Sequence, residues 1–181
     1  MESPEILAKC FNVTAPDLDC PALKPPPGVM ALDPNPASIA PALEHVAITC
    51  LVLVTFAISI RLFTRLRIMK LFALEDAMMI LAAISFVVYI ALTFESIAFG
   101  LGKHQWDLTV EETRNCMVRV YAAQIAYCFS IFTAKIGVLL QVKHIFTGKK
   151  STFVYWASWA VIVMVVCAYT ASLFIWIFPC M

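Results

Sequence analysis

The residues of this chain best suited to chemistry are polar side chains set within apolar sequence. Four of them recur at intervals of three, four and seven residues and therefore share one helical face: Tyr121, Gln124, Cys128 and Lys135. We predict that this face points into a helical bundle, where Lys135 pairs with Glu75 or Asp76. Because ionisable groups in hydrocarbon are costly, the pattern predicts an ion pair that stabilises packing or, alternatively, a ligand or ion site. Glu95 and Arg119 are predicted to pair near the outer interface.

Residue combinations that carry out catalysis are missing from the sequence. The histidines lie in links or at the ends of apolar stretches, so no two of them could ligate a haem in mid-membrane: His45, His104 and His144. There is no Cys/His cluster with metal-ligand spacing, no glycine-rich phosphate loop and no nucleophile with a neighbouring intramembrane histidine. We therefore expect a protein that is not an enzyme and that uses no cofactor or metal.

The cysteines separate into two groups by position. Three lie within apolar stretches and are interpreted as small buried residues: Cys50, Cys128 and Cys167. Four lie on the side that we predict to be oxidising: Cys10, Cys20, Cys116 and Cys180. A Cys116–Cys180 disulfide is predicted because these residues begin and end consecutive helices, and a Cys10–Cys20 disulfide is predicted beside it. Free thiols are the alternative for both pairs.

Four long apolar stretches must position these side chains, namely 43–62, 77–99, 117–142 and 153–178. Each reaches the roughly 20 residues that a helix rising ~1.5 Å per residue needs to cross a ~30 Å hydrocarbon core. A composition of 62% hydrophobic and 14% charged residues agrees with this interpretation. The predicted fold is all-α, a multi-pass transmembrane bundle of four spans in a lipid bilayer, either alone or as a homo- or hetero-oligomer.

Basic residues gather in the links between the first two spans and between the last two. They are Arg61, Arg65, Arg67, Lys70, Lys143, Lys149 and Lys150. The positive-inside rule places both links in the cytoplasm and therefore both termini on the outer or lumenal side of a plasma membrane or endomembrane. The net charge of +1 indicates no nucleic-acid partner.

Residues 1–42 are predicted to be a flexible extracellular or lumenal tail. The segment is proline-rich, with three consecutive prolines at 25–27, and it lacks a periodic apolar run. Asn12 begins an Asn-Val-Thr sequon on the predicted outer side, which indicates either N-glycosylation or a chance triplet. Ser38 is predicted to cap the first helix.

A series of short motifs follows one another along the spans: RLFTRL at 61–66, EDA at 75–77, FGLGKHQWD at 99–107, YAAQIAY at 121–127 and KIGVLL at 135–140. This series resembles the fungal rhodopsin-like integral membrane proteins, which include receptor-like and satratoxin-cluster members. The motif residues that carry the resemblance are Arg61, Arg65, Gly100, Gly102, His104, Trp106 and Asp107. The loop at 100–107 is interpreted as a segment that seats on the bundle or, alternatively, as a ligand lid.

The resemblance implies the first half of a seven-helix fold, so we expect a chain truncated after its fourth span that does not couple to a G protein by itself. Ala77 departs from the family pattern, in which tryptophan usually follows the two acids, whereas Cys180 matches the family's cysteine after the fourth span. By resemblance, we expect a receptor-like protein associated with secondary-metabolite or host-response genes, with an unknown ligand. The alternatives are a small oligomeric transport or export component for a secondary metabolite, and an inert fragment.

Overall fold

The structure is a computed structural model that describes residues 10, 18–69, 73–147 and 152–177. Four α-helices account for most of them: α1 (Ala40–Phe63), α2 (Leu74–Ala98), α3 (Val110–Thr147) and α4 (Thr152–Ile177). A π-helical segment, Thr64–Met69, continues α1, and a 3-10 turn, Gln105–Asp107, precedes α3. These described residues contain no β-strand, which confirms the predicted all-α class.

Three of the described helical segments are long enough to span a membrane. Ala40–Ile68, Leu74–Ala98 and Val110–Ile145 are each long and apolar enough to cross a bilayer. The described apolar segment of α4 is shorter, Trp156–Ser172. Each of the four predicted apolar stretches overlaps one helix, because a helix satisfies every backbone polar group within hydrocarbon.

Local hydrogen bonds explain why α3 begins before its apolar stretch. Thr109 and Glu112 form a reciprocal capping box, in which the Thr109 amide donates to Glu112 Oε2 at 3.0 Å and the Glu112 amide donates to Thr109 Oγ1 at 3.2 Å. At the start of α1 the Ala40 amide donates to Ser38 Oγ at 3.1 Å, which confirms the predicted cap. Both helices therefore begin at residues whose side chains satisfy otherwise unpaired amides.

The chain divides into two compact units, which are described separately. The first comprises Met1–Ile48 with Ala91–Ala122, and the second comprises Thr49–Ile90 with Ala123–Met181. The first unit contains the N-terminal segment and the loop between α2 and α3. The second contains the charged residues at the end of α1 and the start of α2, and the contacts of Ala123–Thr147 of α3 with α2 and α4.

Small residues let α2 and α3 approach closely in the second unit. Ser130 Oγ donates to the Ala82 carbonyl at 2.9 Å. A Cβ atom added to Gly137 would lie 3.1 Å from Met79 Cγ and 3.3 Å from the Glu75 carbonyl. Such small side chains are typical of helix contacts in membranes, where van der Waals packing replaces the hydrophobic effect. This close contact holds the start of α2 against α3.

Candidate functional site

Charged side chains lie close together at the C-terminal end of α1, in its π-helical extension and in the first turn of α2. We define the charge cluster as Arg61, Arg65, Glu75, Asp76 and Gln141. The arginines belong to α1 and its π-helical extension, the acids to the first turn of α2, and the glutamine to α3. Glu75 is only 4% exposed and Asp76 only 2%. Carboxylates with so little access to solvent require charged or hydrogen-bonding partners.

Asp76 is the central acceptor of the charge cluster. Its Oδ1 accepts from Arg61 Nε at 3.1 Å and from Arg61 Nη2 at 2.9 Å, and Arg65 Nε lies 3.4 Å away. Its Oδ2 accepts from the Ala73 amide at 3.3 Å. The same carboxylate therefore pairs with guanidinium groups and satisfies an amide at the start of α2.

Glu75 and Gln141 complete the charge cluster. Arg65 Nη2 donates to Glu75 Oε1 at 2.9 Å, and Arg61 Nη1 donates to Gln141 Oε1 at 2.7 Å. His144 Nδ1 lies 3.9 Å from Glu75 Oε2, but the His144 side chain is 69% exposed, so this contact is weak. Two guanidinium groups thus face two carboxylates, and a neutral amide accepts a further hydrogen bond.

The π-helical segment contains the arginine that contacts both acids. Arg65 lies within Thr64–Met69, four residues after Arg61. A π turn holds more residues than an α turn, so it changes the direction of the side chains that follow; such turns are rare and frequently occur at functional sites. Here the guanidinium of Arg65 lies 2.9 Å from Glu75 Oε1 and 3.4 Å from Asp76 Oδ1.

The structure does not bring Lys135 to Glu75 or Asp76, contrary to the prediction. Both acids pair with arginines, whose planar fork matches a carboxylate better than an ammonium does. Lys135 is instead exposed on α3, with Nζ 4.9 Å from the centroid of the Tyr169 ring on α4. Among the described residues, no carboxylate lies at salt-bridge distance from its ammonium. The remaining members of the predicted face are buried or partly buried: Tyr121, Gln124 and Cys128.

The loop after α2 contains the most specific of the sequence motifs. Gly100 and Gly102 adopt φ values of 100° and 99°, which other residues rarely adopt. A Cβ atom on Gly100 would overlap the Leu108 side chain, and one on Gly102 would lie 2.9 Å from the Ala40 nitrogen. Both glycines are therefore required by backbone conformation and by close neighbours.

Aromatic stacking orders the second half of this loop. The rings of His104 and Trp106 are nearly parallel, with centroids 4.3 Å apart. The Asp107 amide donates to the His104 carbonyl at 3.0 Å, and Asp107 Oδ1 accepts from the Asp33 amide at 3.3 Å. The motif residues thus shape the loop and connect it to the N-terminal segment.

The N-terminal segment was predicted to be a flexible tail, but its described part is hydrogen-bonded along this loop. Four backbone bonds of 2.9 to 3.1 Å join the two: Ala22 N to Leu108 O, Leu32 N to Trp106 O, Ile39 N to Gly102 O and Val110 N to Cys20 O. A proline-rich segment can be ordered in this way because the bonded groups belong to its non-proline residues, and the restricted φ of its prolines lowers the entropy lost on ordering. A Cys10–Cys20 disulfide, with Cα atoms 5.8 Å apart, lies at the beginning of the segment.

The Glu95–Arg119 contact is present but weak. Arg119 Nε lies 3.8 Å from Glu95 Oε2, whose side chain is 63% exposed. The guanidinium carbon lies 3.6 Å from the centroid of the Phe99 ring, so a cation–π contact accompanies the ion pair.

Two predicted features lie outside the described residues. Asn12 is the predicted glycosylation site, and Cys180 is the predicted disulfide partner of Cys116. Cys116 itself is buried, with Sγ 3.7 Å from the Ser96 carbonyl oxygen. Glycosylation and the Cys116–Cys180 bridge therefore stay predictions.

Gln141 is the member of the charge cluster that the sequence analysis missed. It lies in a segment read only as the end of an apolar stretch, yet it accepts the shortest hydrogen bond that Arg61 donates. Its spacing of four residues from Gly137, which contacts the start of α2, places it on the same face of α3 and could have identified it.

The chain is similar in sequence to known fungal proteins. The model of the fungal rhodopsin domain family matches residues 60–181. The chain is also similar to "Fugralins biosynthesis cluster protein 2" of Gibberella zeae, with 25% identity over 143 residues, which cover 77% of this chain and 36% of that protein. The chain thus spans little more than a third of the length of this curated relative. No solved structure gives a significant match. Because the matched region contains the whole charge cluster and helices α2 to α4, the chain belongs to the fungal rhodopsin domain family.

Proposed function

We propose that this chain is a non-catalytic, receptor-like membrane protein that acts in the control of secondary-metabolite production in a fungus. The charge cluster is the observation that carries the proposal, because its arginines and buried acids join α1 to α2 and its glutamine joins them to α3. The cavity beside Arg61 and Asp76 measures about 10 Å³, roughly the space for one water molecule. The printed name of the relative refers to a biosynthesis cluster, which supports the metabolic setting.

The charge cluster is suited to switching between two helix arrangements. Removing one partner from a buried ion pair costs about 3–5 kcal/mol, so the paired arrangement dominates until another interaction compensates. A ligand that binds the unpaired arrangement better would shift the population toward it. In the proposed role, a ligand binds on one side of the membrane and α1 and α3 move relative to the acids of α2. This movement changes the conformation on the other side of the membrane.

Orientation is part of the proposal. The basic links, including the arginines of the charge cluster, face the cytoplasm, and both termini lie on the outer or lumenal side. Charge placement in the sequence supports this orientation through the positive-inside rule.

The function can be tested by deleting the gene in its native fungus and restoring it as wild type or as Asp76→Asn. RNA sequencing would measure transcripts of biosynthetic genes, and mass spectrometry of mycelium and medium would measure their products. We expect deletion to change the transcripts, wild type to restore them, and the variant to fail to restore them when strains with equal amounts of the protein in the membrane are compared. Arg67→Ala, at an exposed arginine of the same link, is the matched control and should restore them.

A different outcome would support transport. If deletion leaves the transcripts unchanged while the product accumulates inside the mycelium and disappears from the medium, an export component is the better description. Unchanged transcripts with unchanged product distribution would overturn both roles.

A further inference from the structure

Lys135 lies at the edge of a groove that is otherwise aliphatic. The groove runs between α3 and α4, measures about 350 Å³, and is lined by Ala134, Lys135, Val138, Leu139, Val161 and Val165. This volume falls near the lower end of the roughly 300–1,000 Å³ usual for small-molecule sites. Val138 and Val161 are 49% and 42% exposed, so the groove opens on the surface of the described residues.

The groove contains one charge without an opposite charge. Lys135 Nζ contacts the face of the Tyr169 ring at 4.9 Å. This cation–π contact stabilises the ammonium less than a paired carboxylate would. No carboxylate among the described residues lies within salt-bridge distance of it. An ionisable residue inside a membrane segment marks a functional site by default, and here the missing partner is an anion.

The depth of Lys135 limits what that anion can be. Eight residues of α3 separate it from Lys143, which corresponds to about 12 Å at ~1.5 Å per residue. Lys143 lies near the C-terminal end of α3, and its Nζ contacts the Trp159 ring at 4.4 Å, an arrangement typical of the headgroup layer. A phospholipid phosphate remains at that layer, whereas a carboxylic acid can enter hydrocarbon in its neutral form.

We propose that the groove binds a free aliphatic carboxylic acid from the bilayer, with its carboxylate on Lys135 and its carbon chain along Val138, Val161 and Val165. Lys135 already carries the ammonium, so an acid that enters in its neutral form releases one proton to the aqueous phase when the ammonium–carboxylate pair forms. The aliphatic walls favour a chain without hydroxyl groups, because they offer no hydrogen-bonding partner to a hydroxylated one. This inference goes beyond the receptor-like role, and it is tested on the purified chain independently of any transcript response.

The test uses the full chain in nanodiscs of neutral phosphatidylcholine. The probe is dodecanoic acid carrying a diazirine, and the matched probe is dodecanol carrying the same group. We expect the acid to label peptides that contain 134–139 and 161–165, at concentrations at which the alcohol does not. Unlabelled dodecanoic acid should compete, and Lys135→Met should raise its half-competing concentration about tenfold or more, because a hydrogen bond to a charged group is lost.

Three further variants keep the test decisive. Lys135→Arg should retain labelling, since it keeps the charge, and Lys143→Met should retain it, since it removes a lysine of the same helix outside the groove. Val138→Trp should abolish labelling by filling the groove, which provides an answer even where Lys135→Met does not fold. Equal labelling by acid and alcohol, or labelling unchanged by both Lys135→Met and Val138→Trp, would overturn the proposal. Loss of labelling in Lys143→Met together with competition by phosphatidic acid would identify a phospholipid headgroup instead and would also overturn it.

Discussion

Arg61 and Asp76 are joined by two donors of one guanidinium acting on one carboxylate oxygen, at 3.1 and 2.9 Å. The second oxygen of Asp76 is occupied by the Ala73 amide, so the pair connects the end of α1 directly to the first turn of α2. Because the aspartate is only 2% exposed, water cannot replace the arginine without rearrangement. This pair therefore holds the end of α1 against the first turn of α2.

Asp76→Ala is expected to destabilise the protein by about 3–5 kcal/mol, since it leaves two guanidinium groups without their shared acceptor and removes an amide's partner. Unfolding in mixed micelles of increasing SDS content would measure this loss. In the double variant with Arg61→Ala the total loss should be smaller than the sum of the single losses, by about 0.5–3 kcal/mol. Arg67→Ala should change stability by less than about 0.5 kcal/mol. Strictly additive effects would mean that the two side chains do not stabilise one another.

Gly102→Ala should destabilise the protein more than Gly28→Ala does. Both glycines have positive φ values, 99° and 87°, so both alanines carry a conformational penalty of about 1–2 kcal/mol. The Cβ at residue 102 would also meet the Ala40 nitrogen at 2.9 Å, whereas nothing lies within 4 Å of the Cβ at residue 28. Thermal unfolding of the two variants side by side would measure the difference. Equal shifts would show that the loop and the start of α1 are not in contact.

A disulfide map should recover the Cys10–Cys20 linkage from protein made in an oxidising compartment. Mass spectrometry of non-reduced peptides, with Cys50 as the free thiol for comparison, provides the measurement. The same map tests the predicted Cys116–Cys180 bridge. Complete alkylation of Cys10 and Cys20 without prior reduction would contradict the first linkage, and complete alkylation of Cys116 and Cys180 would contradict the second.

Glycosylation mapping should place both termini on the lumenal side. Asn12→Gln should increase electrophoretic mobility, and a glycosylation acceptor added after Met181 through a short spacer should be modified, because the positive-inside rule leaves the basic links in the cytoplasm. An acceptor introduced into the link at 147–151 should stay unmodified. The opposite pattern, with modification only in the link, would show that the orientation is inverted.

The membrane helices could be predicted from sequence because apolar length alone determines them. Each predicted stretch overlaps a helix, and the extension of α3 toward its N-terminus comes from a capping box that could have been read from Thr109 and Glu112. The membership of the charge cluster was harder to predict. The spacing of residues along a helix shows which of them share a face. Whether Arg61 or Lys135 pairs with Asp76 depends on how α1, α2 and α3 pack, which spacing does not show.

Order in the N-terminal segment could not be predicted because it arises from contacts distant in sequence. Composition gave no reason to expect structure around three consecutive prolines. The segment is held by carbonyl and amide groups of the 100–110 loop, which any sequence could supply, so no side-chain pattern signals the contact. Long-range pairing of backbone groups is invisible to a residue-by-residue pattern.

The hydrogen bonds between the N-terminal segment and the loop also determine at which residue an expressed fragment can begin. The family match begins at residue 60, and an expression boundary chosen from that homology would omit Ala22, Leu32 and Ile39. The truncated product would keep α2, α3 and α4 but would expose the carbonyl groups of Gly102, Trp106 and Leu108. A cloning boundary before Cys10 preserves these contacts and the Cys10–Cys20 disulfide, so the family match and the ordered segment begin about fifty residues apart in this protein.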